Sequence, residues 1–210
     1  YFGATLIVTF LVTVIMVRIP PIATIPEDYY PGAEPNPESE VDDSRAHTAW
    51  EEAKAVLRDS PPLWKVLWHN FRDGLFMTMQ VLPGIMSVGF LGLVVAFYTP
   101  FFTYFGYLFY PVLWILGVPD PGLGSEALAI GLSELFLPAT LVAGAEPDVL
   151  RLIIAMVSVS QVFFFSSMVP SVLATEIPLS IKNIIIIWFE RVILSTIIAA
   201  PFAYGIAALM

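Results

Sequence analysis

GLFMTMQVLPGIMSVGFLGLVVAFYTPFFTYFGYLFYPVLWILGVP, the stretch from Gly74 to Pro119, contains no Asp, Glu, Lys or Arg. About 18 to 20 consecutive apolar residues suffice to cross a bilayer core of about 30 Å. The stretch therefore predicts one spanning element from Phe76 to Tyr98, interrupted at Pro83-Gly84, and an aromatic-rich one from Phe101 to Gly117. Thr99-Pro100 turns the chain between them. Working outward, Tyr1 to Val17 and Leu152 to Thr175 are also free of charge. Together these runs predict an all-α, polytopic integral membrane protein of about five spanning helices plus a re-entrant or broken helical hairpin.

Composition supports the same class. Hydrophobic residues make up 58% of the chain and mean hydropathy is +0.81, above an ordinary globular domain. Cysteine is absent, which excludes disulfides, thiolate metal sites and iron–sulfur clusters. The net charge of −9 is concentrated between Pro26 and Asp43, where seven acidic residues, Glu27 to Asp43, stand without a Lys or Arg. No basic patch with interleaved aromatics suggests a nucleic-acid partner. Tyr1 opens inside an apolar run, so the chain is read as beginning partway through a larger protein or as having lost its start.

Three divisions follow. Residues 1–20 read as a transmembrane helix, stopped by Arg18 and Pro20-Pro21. Residues 21–75 read as a polar, acidic loop carrying amphipathic interfacial helices. One runs from Asp43 or Ser44 to about Asp59. In the next, after Ser60-Pro61-Pro62, Trp64, Leu67, Trp68 and Phe71 share one face and Lys65, His69 and Arg72 another. Tryptophans opposite cations suit the headgroup layer, although an ordinary amphipathic surface helix has the same pattern. Residues 76–210 read as the main membrane domain. Within it, Glu126 to Gly144 is short and broken by Gly131 and Pro138, which favours a re-entrant hairpin. A fourth span is expected from Arg151 to Thr175, with Pro170 inside it, and a last one from Ser180 to Met210.

The chemistry lies beside the breaks. No P-loop, H-E-x-x-H or G-x-S-x-G motif is present, and the two histidines, His47 and His69, fall in the polar segment. The expectation is a protein that is not an enzyme and needs no metal or cofactor. Candidate solute-binding residues are Ser133, Glu134, Ser160, Gln161, Ser166 and Arg191. Broken helices at membrane depth offer unpaired N–H groups and carbonyls to solutes and ions, and ionisable groups there are costly unless paired or used. The bland reading is equally concrete: serines bond back to their own helix, and Arg191 pairs with Glu134 or Glu176. Neighbours on a helix diverge by about 100°, so Glu190 and Arg191 each meet different partners.

Gly131-Leu132-Ser133-Glu134-Leu135-Phe136-Leu137-Pro138, Val157 to Ser166, and the Glu190-Arg191 helix resemble the YjiH-type membrane proteins that carry the nucleoside-recognition, or Gate, domain. Val81-Leu82-Pro83, Tyr98-Thr99-Pro100 and Gly117-Val118-Pro119-Asp120 match the same pattern, so the resemblance covers about Trp64 to Met210. Gate domains also occur in concentrative nucleoside transporters, ferrous-iron transporters and spore-maturation proteins. The nucleoside transporters carry G-Q-T-E-A-P in a re-entrant hairpin. Gly131, Ser133 and Glu134 match its Gly, Thr and Glu, while Leu132 replaces the amide and Pro138 falls two places late. The resemblance thus implies a hydroxyl–carboxylate pair facing a cavity. The cysteines and linked GTPase of the iron transporters have no counterpart here.

The expected function is secondary transport, as a transporter or a subunit of one, of a small polar or anionic metabolite, nucleoside-like solutes included. The alternative is a non-transporting scaffold or assembly subunit. Expected surroundings are membrane lipid and the cytoplasmic (inner) membrane of a bacterium or archaeon, crossed several times. A homo-oligomer or a second Gate-domain partner is expected from the small-residue series Ala199, Ala203 and Ala207.

Overall fold

In the computed structural model, which describes residues 1–25, 45–173 and 177–209, the described residues form helices and their connections, without a strand. The order is α1 (Phe2–Met16), a single 3-10 turn (Ile22–Thr24), α2 (Arg45–Asp59), α3 (Leu63–Tyr98), α4 (Phe101–Gly106) and α5 (Tyr110–Ile115). Then come α6 (Pro121–Ile130), α7 (Leu137–Leu141), α8 (Asp148–Ser160), α9 (Met168–Leu173) and α10 (Ile181–Ala207). The acidic segment and Glu176 lie outside the described residues. Two compact units result, Tyr1–Pro26 with Pro83–Met210, and Glu27–Leu82.

The larger unit is organised by α10. Its buried residues Ile184, Ile187, Trp188, Arg191, Val192, Ser195, Thr196, Ala199, Ala200 and Ala203 recur every three or four positions, which lines them along one face of the helix. That face packs on α8, α1 and α5. Helix α1 contributes Thr5, Val8, Val12 and Met16, again one stripe. Around Trp188 the rings of Phe105 and Phe109 close the core, with centroids at 6.1 and 5.7 Å. Ala199 and Ala203 are fully buried within this chain, so that part of the small-residue series serves internal packing.

Close approach elsewhere depends on glycine. A Cβ at Gly106 would meet the Ser125 backbone at 2.9 Å, where α4 lies on α6. Helix α6 begins where Asp120 turns the chain with φ 46° and its Oδ1 accepts the Leu123 amide hydrogen at 3.1 Å. Pro121 follows at the first helical position, where its missing N–H costs nothing. At the far end, the Tyr204 hydroxyl is within hydrogen-bond reach of the Leu116 and Gly117 carbonyls at 3.2 and 2.6 Å.

Three sequence expectations change. The Trp64–Arg72 segment and the following apolar run form one 36-residue helix, α3, with Pro83 inside it. Leucine, methionine and aromatic residues on both sides of Pro83 sustain the helix across the lost hydrogen bond. Second, the element from Phe101 to Gly117 divides into α4 and α5, with Pro111 in the first turn of α5. Third, the stretch from Arg151 breaks at Gln161, ahead of Pro170, which then sits in the first turn of α9.

Among the described residues two helices are long and apolar enough to cross a membrane, α3 and α10. At about 1.5 Å per residue they measure about 54 and 40 Å. Helix α1 is apolar but has 15 residues, about 22 Å, which is shorter than a bilayer core of about 30 Å.

In the smaller unit, Trp64 and Trp68 are 75% and 59% exposed. Trp68 stacks on Phe71 at 5.9 Å, His69 lies 3.2 Å from Asp73, and Lys54 lies 2.8 Å from Glu51. Exposed contacts of this kind contribute little to stability.

Candidate functional site

Two interrupted helices meet at their breaks. The first is α6–α7, interrupted over residues 131–136; the second is α8–α9, interrupted over residues 161–167. The Phe165 amide donates to the Leu132 carbonyl at 2.8 Å and the Ser166 amide to the Ser133 carbonyl at 3.1 Å. Each break thus satisfies backbone groups that the other has freed, as apolar surroundings demand. A side chain completes the junction. Gln161, 1% exposed, donates from Nε2 to the Gly131 carbonyl at 3.1 Å and accepts from Trp188 Nε1 at 3.3 Å.

Gly131 and Val162 show what this geometry requires. A Cβ on Gly131 would stand 2.5 Å from Gln161 Oε1 and 3.0 Å from the Leu128 carbonyl oxygen. Val162 has φ 63°, a left-handed conformation costly for a β-branched residue. The Phe163 amide bonds the Gln161 carbonyl at 2.7 Å across this turn.

Arg191 lies below the end of α8, 7% exposed. Its Nε donates to the Ser160 carbonyl and its Nη2 donates to Thr13 Oγ1 at 3.1 Å. A cation at a helix C-terminus complements the carbonyl end of the dipole. Two of the five guanidinium N–H groups are accounted for by these bonds. Among the described residues no carboxylate pairs with Arg191, so of the two alternative ion pairs the one with Glu134 does not form, and Glu176 lies outside the described residues. Ser160, fully buried, shares a hydrogen bond with Thr9 Oγ1 at 2.9 Å.

Glu134 is occupied differently. Its Oε2 accepts the amide hydrogens of Phe136 at 2.5 Å and Leu137 at 3.2 Å, capping α7. Ser133, 6% exposed, has a buried hydroxyl with no hydrogen-bond partner. Ser166 is 3% exposed and lies beside Ser133 through the backbone bond. Ser133, Gln161 and Ser166 therefore share the junction, Ser160 and Arg191 form a second cluster at the end of α8, and Glu134 faces α7. Glu190 keeps one buried carboxylate oxygen without a partner.

Sequence reasoning missed Thr9, Thr13, Trp188 and Glu126. The threonines carried a signal: Thr5, Thr9 and Thr13 recur every four residues in an otherwise apolar helix, and Thr9 and Thr13 reach Ser160 and Arg191 from the border of its buried stripe. Glu126 accepts from Thr103 at 3.1 Å and lines a cavity of about 390 Å³ with Phe97, Ile130 and Thr140. A second cleft, of about 410 Å³, is walled by Phe101, Phe102, Leu132 and Phe165 beside Gly92 and Ser133.

No protein-family model matches the chain, and no solved structure matches it. It is 33% identical over 197 residues to an uncharacterised protein of Alkalihalophilus pseudofirmus. That alignment covers 92% of this chain and 42% of the relative, so the chain spans less than half of that protein's length.

Proposed function

We propose that the chain is the membrane domain, or one subunit, of a multi-pass secondary transporter for a small polar or anionic solute, in a bacterial or archaeal cytoplasmic membrane. The Gate-domain resemblance, with a nucleoside-like solute inside that class, belongs to the same proposal. The observation that carries it is the junction of two helix breaks beside Arg191. In transporters such breaks present polar groups to solutes; here several backbone groups of the two breaks bond each other, and the Ser133 hydroxyl and the remaining Arg191 N–H groups are what is left to offer. A guanidinium without a carboxylate partner among the described residues, retained among apolar helices, is expensive for packing alone. It supplies positive charge and spare donors for an anionic group.

The test is purification into detergent, a thermal-shift screen of carboxylates, phosphorylated compounds and nucleosides, then gradient-driven uptake of any stabilising compound in proteoliposomes. Stabilisation and uptake by the parent, both lost in Arg191→Gln with the helical signal retained, are expected. A parent that neither binds nor transports any compound overturns the reading in favour of a scaffold subunit.

A further inference from the structure

Ser133 Oγ is one of three buried polar side-chain atoms without a partner among the described residues, with Glu190 Oε2 and Ser195 Oγ, and the one that lies at the junction of the breaks. It is buried, has no partner, and presses against a glycine: a Cβ at Gly92 would fall 1.7 Å from it and 3.0 Å from Ser133 Cβ. Gly92 belongs to a series. The Cβ position of Gly89 lies 3.5 Å from Ser166 Cβ, and that of Gly84 lies 3.9 Å from Pro170 Cβ. The second half of α3 thus lies along both breaks; a Cβ at Gly92 would clash with Ser133, whereas Cβ atoms at Gly89 and Gly84 would make ordinary contact with the second break. An unpartnered hydroxyl in an apolar interior carries an uncompensated desolvation cost, so a permanent seal over it is a poor arrangement.

Other features of α3 suit movement. None of its described side chains is fully buried. A cleft of about 410 Å³ opens beside the Gly92–Ser133 contact, lined by Leu91 and Val95 of α3 and by Phe101, Phe102, Leu132 and Phe165, so the packing around that contact is incomplete. Pro83 removes one helical hydrogen bond at the start of this half, a position where helices bend. At the other end the helix stops at Tyr98, and two residues, Thr99 and Pro100, lead into α4.

We infer that residues 83–98 are a gate over the junction of the breaks, seated through Gly84, Gly89 and Gly92, and that opening it gives the Ser133 hydroxyl to a polar atom of the solute. This rests on the transport reading for the solute alone; the movement is testable without one. Closed, the glycine face excludes solvent and lipid from the junction. Open, Ser133 and the neighbouring Ser166 become a pair of hydroxyls at the point where two helices are broken, suited to a solute bearing hydroxyl or carbonyl oxygens.

The chain has no cysteine, so introduced thiols are unique. The Gly89 and Ser166 positions fall within the Cβ separation of a disulfide, about 3.5–4.5 Å. The experiment places Gly89→Cys and Ser166→Cys as a lock and Ser133→Cys as a reporter, in nanodiscs. N-ethylmaleimide reaction at residue 133 is read by peptide mass spectrometry with the lock oxidised and reduced. Gating predicts that the lock forms and that it slows labelling at residue 133 by about tenfold or more, as blocking a local opening should. A Phe97→Cys reporter, at a 76% exposed site, keeps its rate in both states. Equal rates at residue 133, or a lock that does not form in folded protein, overturn the gate. Should the Gly89–Ser166 lock misfold, Gly84→Cys with Pro170→Cys supplies a second one read in the same way. Lock-dependent labelling together with absent transport would leave the gate standing and remove the transport reading.

Discussion

Gln161 reaches across thirty residues of sequence to donate its amide hydrogen to the Gly131 carbonyl at 3.1 Å, and so joins the break in one helix to the break in another. With Trp188 on its other end, one side chain links α10 to both interrupted helices.

Gln161→Leu leaves the Gly131 carbonyl and the Trp188 N–H without partners, each costing about 1–3 kcal/mol. The expected result is a lower unfolding midpoint in mild detergent, together with a red shift in tryptophan emission if Trp188 becomes hydrated. Gln161→Glu keeps an acceptor for Trp188 and removes the donor, and should fall between the parent and the leucine variant.

Gly131→Ala puts a methyl group 2.5 Å from the Gln161 amide oxygen, which the Trp188 bond holds in place. A loss above about 1 kcal/mol is expected. Gly205 is the control, because a Cβ there meets nothing within 4 Å and the site is helical. Gly205→Ala should be neutral or stabilising by up to about 1 kcal/mol. Thermal melts of the two variants side by side check the contrast.

Val162→Gly should cost far less than an ordinary valine truncation. Relief of a left-handed backbone, about 1–2 kcal/mol, opposes the lost packing of a half-buried side chain. Val157, 1% exposed in the middle of α8, gives the comparison: Val157→Gly loses core packing and helix propensity together. Equal destabilisation of the two variants would count against strain at residue 162.

Glu134→Gln and Glu134→Ala separate capping from ionisation. Glutamine retains an oxygen for the Phe136 and Leu137 amides, whereas alanine removes the cap at about 0.5–2 kcal/mol. The stability order parent, glutamine, alanine is expected from chemical unfolding. If solute binding is lost in the glutamine variant while its stability stays near the parent's, Glu134 also serves the solute.

Residues 64–72 open the continuous helix α3 and are expected to stand at the membrane edge, the tryptophans toward lipid and Lys65, His69 and Arg72 toward water. Spin labels placed singly along this segment should show lipid-soluble quenching with a period near 3.6 residues. Uniform access to a water-soluble quencher would refute that placement.

The sequence by itself determined the helical class, because long runs without charge leave helices as the simplest way to satisfy backbone hydrogen bonds. It also located the break near Gly131, because Gly and Pro interrupt an apolar run there; the break at Gln161 falls instead inside a run that reads as one span from Arg151 to Thr175. The selection of Gln161 and Arg191 followed from the expense of burying an amide or a charge. Only the tertiary structure decided what those groups touch. Arg191 turns to the Ser160 carbonyl and Thr13 rather than to Glu134, because the end of α8 presents free carbonyls while Glu134 is engaged by the amides of α7. Likewise Pro83 reads as an interruption in sequence and stands inside a continuous helix. A local preference fixes which bonds a segment can make alone; contacts between distant segments settle which of those possibilities has the lower free energy.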